Sequence, residues 1–251
     1  MILFGDYHTH TVYTHGKSTI EENVLSAIDK GLKEIAITEH SYKHFAHPVR
    51  REHIKVMREE VDRLNEKYPE INILLGLECN LLGLNGEIDI DEEIEGMLDL
   101  VVLGYHKMFK PTFKNFWRFL VPNTFRFWPH SKKRIELNTM AYINAMKNHK
   151  IDIVAHLKYG NCMVNVSEIA KFASENGAYI ELNGKRINFT DEEINSIIDS
   201  GAKLIIDSDA HISHRVGENN HALNIITRLH IDEKNVANLD KLPKFKNHKG
   251  R

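Results

Sequence analysis

The feature that most constrains this chain is a repeated punctuation: short apolar runs that stop, again and again, at a histidine or a carboxylate. The first run, Ile2-Leu3-Phe4, reads as a short buried strand and leads into Asp6-Tyr7-His8-Thr9-His10. Side chains alternate across a strand, so His8 and His10 fall on one face and can share a metal ion. Alone, a His-x-His is weak, because two solvated histidines beside a loop give the same pattern. Recurrence carries the weight. Glu34 to Thr38 runs into Glu39-His40, Ile73 to Leu77 into Glu78, and Leu100 to Gly104 into His106. Ile151 to Ala155 then runs into His156, and Lys203 to Ile206 into Asp207-Ser208-Asp209-Ala210-His211. Ligand-type residues at the ends of six strands predict one composite metal centre.

Helical signals separate these runs. Thr19 with Glu22 has capping-box spacing before a helix from about Ile20 to Lys30, and Gly31 supplies a left-handed stop. A basic loop, Ser41 to Arg51, holds His44 and His47 and leads into a helix that contains His53 and ends near Tyr68; the three histidines are read as solvated. Ile71 to Leu77 is the third strand, Leu81 to Asp91 a Gly- and Asn-rich loop, and Glu92 to Met97 a brief helix. Further helices are expected over Ile135 to Asn148, Val166 to Asn176 (Asn165 and Glu168 at capping-box spacing, Gly177 as stop), a segment capped by Thr190 and Glu193 that stops at Gly201, and Glu218 to Leu229; Tyr179 to Leu182 is the sixth strand. Seven strands alternating with helices predict an α/β fold with a parallel sheet and right-handed crossovers. An open sheet would scatter the ligands along its carboxyl edge, whereas a closed or nearly closed barrel gathers them at one mouth.

A chain of 251 residues is long enough to be a single barrel domain, taken as 1–239, with a polar, basic, frayed tail over 240–251. Residues 107–133 break the rhythm. They mix Phe109, Phe113, Phe116, Trp117, Phe119, Phe125, Phe127 and Trp128 with Lys110, Lys114, Arg118, Arg126, Lys132 and Lys133, and read as a flap on the barrel rim or a lid over an anionic substrate. A formal net charge of -2 gives no global reason to expect nucleic acid or an anionic membrane as partner. Neither a signal peptide nor an apolar run long enough to cross a bilayer is seen. Two unpaired-looking cysteines, Cys79 and Cys162, read as buried hydrophobes and suit a reducing, cytoplasmic setting.

These motifs resemble, in order and over nearly the whole chain, those of the polymerase and histidinol phosphatase (PHP) superfamily of metal-dependent phosphoesterases. Its opening Asp-x-His-x-His looks like Asp6 to His10, its Thr-Asp-His like Thr38-Glu39-His40, and its closing Ser-Asp-Ala-His matches Ser208 to His211. The resemblance implies a distorted seven-unit (β/α)7 TIM-like barrel and three divalent ions, zinc before manganese or iron. It assigns His8, His10, Glu78 and Asp209 to the first ion, His15, His40 and His211 to the second, and Glu78, His106 and His156 to the third, with Glu78 bridging. Asp6 and Glu39 become acceptors that orient ring nitrogens, although Glu39 stands where the family motif has Asp.

The implied chemistry is hydrolysis of a small phosphate monoester by a metal-bridging hydroxide, since bound water ionises near a pKa of about 7. Lys107, Lys158, Arg186 and Arg215 are the candidate phosphate-binding side chains, Arg186 following Glu181-Leu182-Asn183, which is similar to a Glu-x-Asn strand of histidinol phosphatases. The leading substrate is L-histidinol phosphate. General phosphomonoesterase activity and a nuclease or nucleotide phosphoesterase are the alternatives, and a non-catalytic metal-binding barrel is the answer from a different class.

Overall fold

A computed structural model describes residues 1–107, 109–125 and 130–248. Seven parallel strands pair in sequence order: β1 Gly5–Asp6, β2 Glu34–His40, β3 Asn72–Asn80, β4 Leu100–Gly104, β5 Ile153–Val154, β6 Tyr179–Asn183 and β7 Leu204–Asp207. Helices cross over between them: α1 Ile20–Asp29, α2 Arg51–Lys67, α3 Glu92–Glu95, α4 Phe113–Asn115, α5 Val121–Thr124, α6 Lys132–Asn148, α7 Val166–Asn176, α8 Asp191–Asp199 and α9 Asn220–Arg228. The result is a nearly closed, distorted (β/α)7 barrel of the TIM-like kind.

Alternation along the strands builds two cores. Inward-facing Ala36, Leu74, Val102, Ile153 and Ile205 form one cluster with Tyr7. Their neighbours Ile35, Ile37, Ile73, Leu75, Val101 and Leu103 face the helices and pack in a second cluster with Val24, Ile54, Val61, Ile169 and Ile194. Each fully buried Val, Leu or Ile among them contributes about 2 kcal/mol of transfer free energy. The helix signals act as read: Thr19 with Glu22 and Thr190 with Glu193 form reciprocal capping boxes, and Gly177 takes φ 69° after α7. Asn165 caps α7 through the Glu168 amide, but the carboxylate returns to the Asn165 side chain instead of its backbone.

Between β7 and β1 the barrel is stapled by side chains. Asp207 Oδ1 accepts from the Tyr7 amide at 2.8 Å, and Asp6 accepts from Ser208 N, Ser208 Oγ and Gly217 N at 3.0, 2.5 and 2.7 Å. Asn238 completes the seam, accepting from Ile206 N and donating to Gly5 O and Ile206 O.

Two expectations need correction. The first strand is Gly5–Asp6 and not Ile2 to Phe4: Ile2 is 62% exposed and Leu3 makes only an isolated bridge to Leu239. The tail is not frayed over 240–248, because Phe245 is buried against Tyr7 at the amino end of the barrel, ring centroids 4.9 Å apart, and Lys246 N donates to Asp152. The insertion is anchored, with Phe109 and Phe119 buried against Tyr105 and a π-helical turn at Phe116–Leu120, while Phe113 and Trp117 remain exposed. Arg126, Phe127 and Trp128 lie outside the described residues. Both cysteines are buried and free, and no helix among the described residues is long and apolar enough to cross a membrane.

Candidate metal centre

Strand register places the central carboxylate. His40 on β2 and Glu78 on β3 are directly paired partners, both facing into the barrel, and β4 places Gly104 beside them. Glu78 is fully buried, and its two oxygens face different sets of imidazoles. Oε2 lies 3.4 Å from His8 Nε2, 3.6 Å from His10 Nε2 and 2.7 Å from His40 Nδ1. Oε1 lies 3.1 Å from His106 Nε2 and 2.6 Å from His156 Nε2. Asp209 Oδ1 reaches His10 Nε2 at 3.5 Å, so His8, His10 and Asp209 form one group of ligand atoms within 4.8 Å, and His10, His40 and His211 form another. The His15 ring stacks on His40 at 4.9 Å and meets His211 edge-on at 4.2 Å.

The hydrogen bonds sort the rings by tautomer. Carboxylates and carbonyls only accept, so the nitrogen facing one carries the proton. His8 Nδ1 donates to Glu181 Oε1 at 2.6 Å and His211 Nδ1 to the Asp209 carbonyl at 2.9 Å. His106 Nδ1 donates to Asn80 Oδ1 at 2.7 Å; the orientation of that amide is set by its Nδ2, which donates to Asp89 and Ser41. In all three rings Nδ1 is held by an acceptor and Nε2 is turned towards the centre, the orientation a metal-ligating imidazole needs. His44 is the reverse. Its Nδ1 accepts from the His47 amide at 3.1 Å, which puts the ring proton on Nε2 and makes it a donor despite its place beside His40 and His106.

Charge is distributed unevenly. Burial, joined by the imidazoles around them, holds His15 down to about 3 and His211 and His44 down to about 4, so these rings are neutral at pH 7. Burial opposes charge on His10 as well, but the neighbouring Asp209 and Glu39 carboxylates raise it to about 9. Glu78 is driven well below the usual carboxylate range, burial being outweighed by His106, His8 and His40.

Four buried atoms at the centre, His8 Nε2, His10 Nε2, His40 Nδ1 and Glu78 Oε2, make no hydrogen bond even though they converge on one another. An unpaired buried polar atom costs about 1–3 kcal/mol. Converging lone pairs of nitrogen and carboxylate oxygen are the donor set that divalent cations satisfy, so these residues fit such ions. The backbone supports the same reading, since His156 and Asp209 take left-handed φ of 29° and 50°, strain of a kind that persists at functional sites. Gly104 makes room: a Cβ there would lie 2.7 Å from His156 Cε1 and 3.0 Å from Glu78 Oε1.

The supporting residues differ in part from expectation. Glu39 lies 3.6 Å from His10 Nδ1, beyond hydrogen-bond distance, and its carboxylate accepts from Thr11 and Thr14. Asp6 touches no ring nitrogen; its carboxylate is occupied by Ser208 and Gly217, so it holds the loop that carries Asp209 and His211. Glu181 was missed as a support: Oε1 fixes His8 and Oε2 accepts the His156 amide at 2.7 Å. Asn80, Gly104 and His44 were also missed. His44 is buried and stacks on His40 at 4.5 Å, contrary to the solvated reading, whereas His47 is exposed and His53 half-buried.

A cleft of about 370 Å³ opens above the centre, and its rim includes Tyr159, Asn183, Lys185, Arg186 and Asn188. Arg186 is therefore at the cleft. Lys107 and Lys158 line an adjoining cavity instead, Lys158 bound to Glu193 at 2.7 and 2.8 Å. Arg215 pairs with Glu218 and does not line the cleft; Lys185, 3.6 Å from Asp209, stands there and was not anticipated.

Comparison with known proteins follows the same lines. A relative from Thermoanaerobacter sp. (strain X514), named "Probable phosphatase", is 31% identical over 252 residues, covering 96% of this chain and 92% of its own. Another of that name, from Caldanaerobacter subterraneus subsp. tengcongensis, is 30% identical with coverage of 97% and 91%. The histidinol phosphate phosphatase of Lactococcus lactis subsp. lactis, solved with zinc, L-histidinol and phosphate, shares the fold at a TM-score of 0.67 and 17% identity, with 99% of each chain covered. Residues 6–212, which span every strand-end histidine and carboxylate described above, match the PHP domain, and the chain belongs to that family.

Proposed function

We propose that this protein is a metal-dependent phosphatase acting on small phosphate monoesters. The observation that carries the reading is Glu78: one buried carboxylate whose two oxygens each face a separate set of imidazoles is built to bridge two cations. His8, His10, Glu78 and Asp209 would hold one ion, His15, His40 and His211 a second, and Glu78, His106 and His156 a third. Divalent ions, zinc first for a histidine-rich set and manganese or iron as alternatives, supply Lewis acidity and ionise water near neutral pH.

The chain's own residues do the rest. Glu181 and Asn80 keep protons on His8 Nδ1 and His106 Nδ1 so that both Nε2 lone pairs face inward. Lys185 and Arg186 at the rim neutralise the phosphoryl oxygens, and Tyr159 walls the opening. L-histidinol phosphate is the finer candidate substrate, supported by the Glu181-Leu182-Asn183 strand and by Val216-Gly217 after His211. The names of the relatives support the phosphatase class.

Phosphate release from L-histidinol phosphate, sugar phosphates and nucleotides, measured on protein of determined metal content, tests the proposal. Strong preference for L-histidinol phosphate places the protein in histidine biosynthesis, and broad turnover makes it a general phosphomonoesterase. Preference for nucleotides moves it to the nucleotide branch. No turnover with metal bound leaves a binding barrel.

A further inference from the structure

Beside the metal cleft lies a second, smaller cavity of about 240 Å³ lined by Lys107, Lys158, Tyr159, Gly160 and Arg186. Tyr159 and Arg186 belong to both, so the two spaces adjoin. The side cavity is shaped by a tight turn, with Lys158 and Gly160 both left-handed at φ 66° and 68°. Gly160 is favoured there by its left-handed φ, and the flexible Lys107 side chain lies across it.

Its charge is not balanced. Glu193 engages Lys158 with both carboxylate oxygens, which cancels that ammonium and uses up the acid. Lys107 and Arg186 have no ion pair among the described residues. Two uncompensated cations on the wall of a part-enclosed space favour an anion there and repel an amine, the more strongly for the reduced local dielectric.

We infer that the substrate carries a second anionic group, a carboxylate or another phosphate, which enters this side cavity while the scissile phosphate occupies the metal cleft. The inference rests on the phosphomonoesterase reading and narrows it. L-histidinol phosphate carries an ammonium and an imidazole in place of a second anion, so this cavity does not match it. The strand motif and the cavity therefore point to different substrates, and rates decide between them.

The experiment compares kcat/KM for five probes on the metal-containing protein: propyl phosphate, 3-aminopropyl phosphate, 3-(phosphonooxy)propanoate, propane-1,3-diyl bisphosphate and L-histidinol phosphate. At least one of the two probes with a second anionic group should exceed propyl phosphate by about tenfold, the size of one charge-assisted contact. The two amines should fall below propyl phosphate. Whichever of the carboxylate and bisphosphate arms leads identifies the second group. Lys107→Gln should bring the ratio of anionic to neutral probe towards one, and Lys107→Arg should preserve it; a folding defect lowers both rates and leaves their ratio alone. Propyl phosphate turned over as well as both the carboxylate and the bisphosphate probe, or a ratio unchanged in Lys107→Gln, overturns the inference while leaving the phosphatase reading intact. No turnover of any probe overturns both.

Discussion

The two ends of this barrel bury their carboxylates and their partners differently. At the amino end, Asp152 accepts from Val101 N and from Lys246 N at 2.8 Å each, and Asn238 makes three hydrogen bonds across the seam. At the carboxyl end, His8, His10, His40 and Glu78 present buried atoms that meet without hydrogen bonding. Satisfied groups hold strands in register, whereas converging unsatisfied groups stabilise nothing until something binds them. The difference separates architecture from chemistry within one sheet. It also explains why the carboxyl end carries left-handed His156, Lys158 and Asp209 while Phe245 packs an apolar plug into the other end.

The sharpest way to break the comparison is Glu78→Gln. The amide keeps the volume but loses the charge that two sets of imidazoles share, so phosphatase activity should fall by more than about 100-fold, beyond the usual cost of removing an orienting partner. Bound metal, measured by elemental analysis, should fall with it while the protein stays folded. Retained turnover with a lowered melting temperature would instead group Glu78 with the residues that hold strands together.

How much of this was legible in the sequence follows from the range of the interactions. Strand-end ligands were readable because alternation is local and because histidine after an apolar run is chemically conspicuous. The parallel sheet followed from seven strands alternating with helices, and its closure from the need to gather those ligands at one mouth. Glu181 was not readable as the partner of His8, nor Asn80 as that of His106, because each bond joins residues far apart in sequence. Phe245 looked like part of a frayed tail for the same reason: its partners Tyr7 and Tyr179 come from distant strands. His44 was misread from its setting in a basic loop, where only the stacking on His40 and the His47 amide show what it does.

Two inward-facing glycines on neighbouring strands sharpen the contrast. Gly104 sits against His156, Glu78 and His106, whereas a Cβ on Gly76 would meet Leu100 O at 2.9 Å and Thr38 Cγ2 at 2.9 Å, within the strands themselves. Gly104→Ala should therefore lower metal affinity or kcat/KM by about 10–100-fold. Gly76→Ala should cost about 1–3 kcal/mol of stability by overpacking and leave metal affinity in place. Equal losses of metal by both variants would mean that the whole barrel interior, and not its carboxyl end, sets the site.

The smallest effect is expected at the amino end and reads out in pH. Burial lifts the Asp152 carboxyl to about 6, against the pull of its two backbone donors, from an ordinary value of 3.8. The folded state therefore takes up this proton at higher pH than the unfolded chain does. Below pH 3.8 both states are protonated and Asp152 costs nothing; as pH rises through that value the unfolded chain ionises first, stability is lost, and the loss is complete above about 6. Chemical denaturation of the wild type and of Asp152→Asn, which cannot titrate, isolates the effect from the histidines, whose contributions cancel in the difference. The wild type should gain about 2 kcal/mol relative to Asp152→Asn between pH 7 and pH 4. A flat difference would show that the Val101 and Lys246 amides hold this carboxylate charged throughout, so that hydrogen bonding at this end outweighs burial.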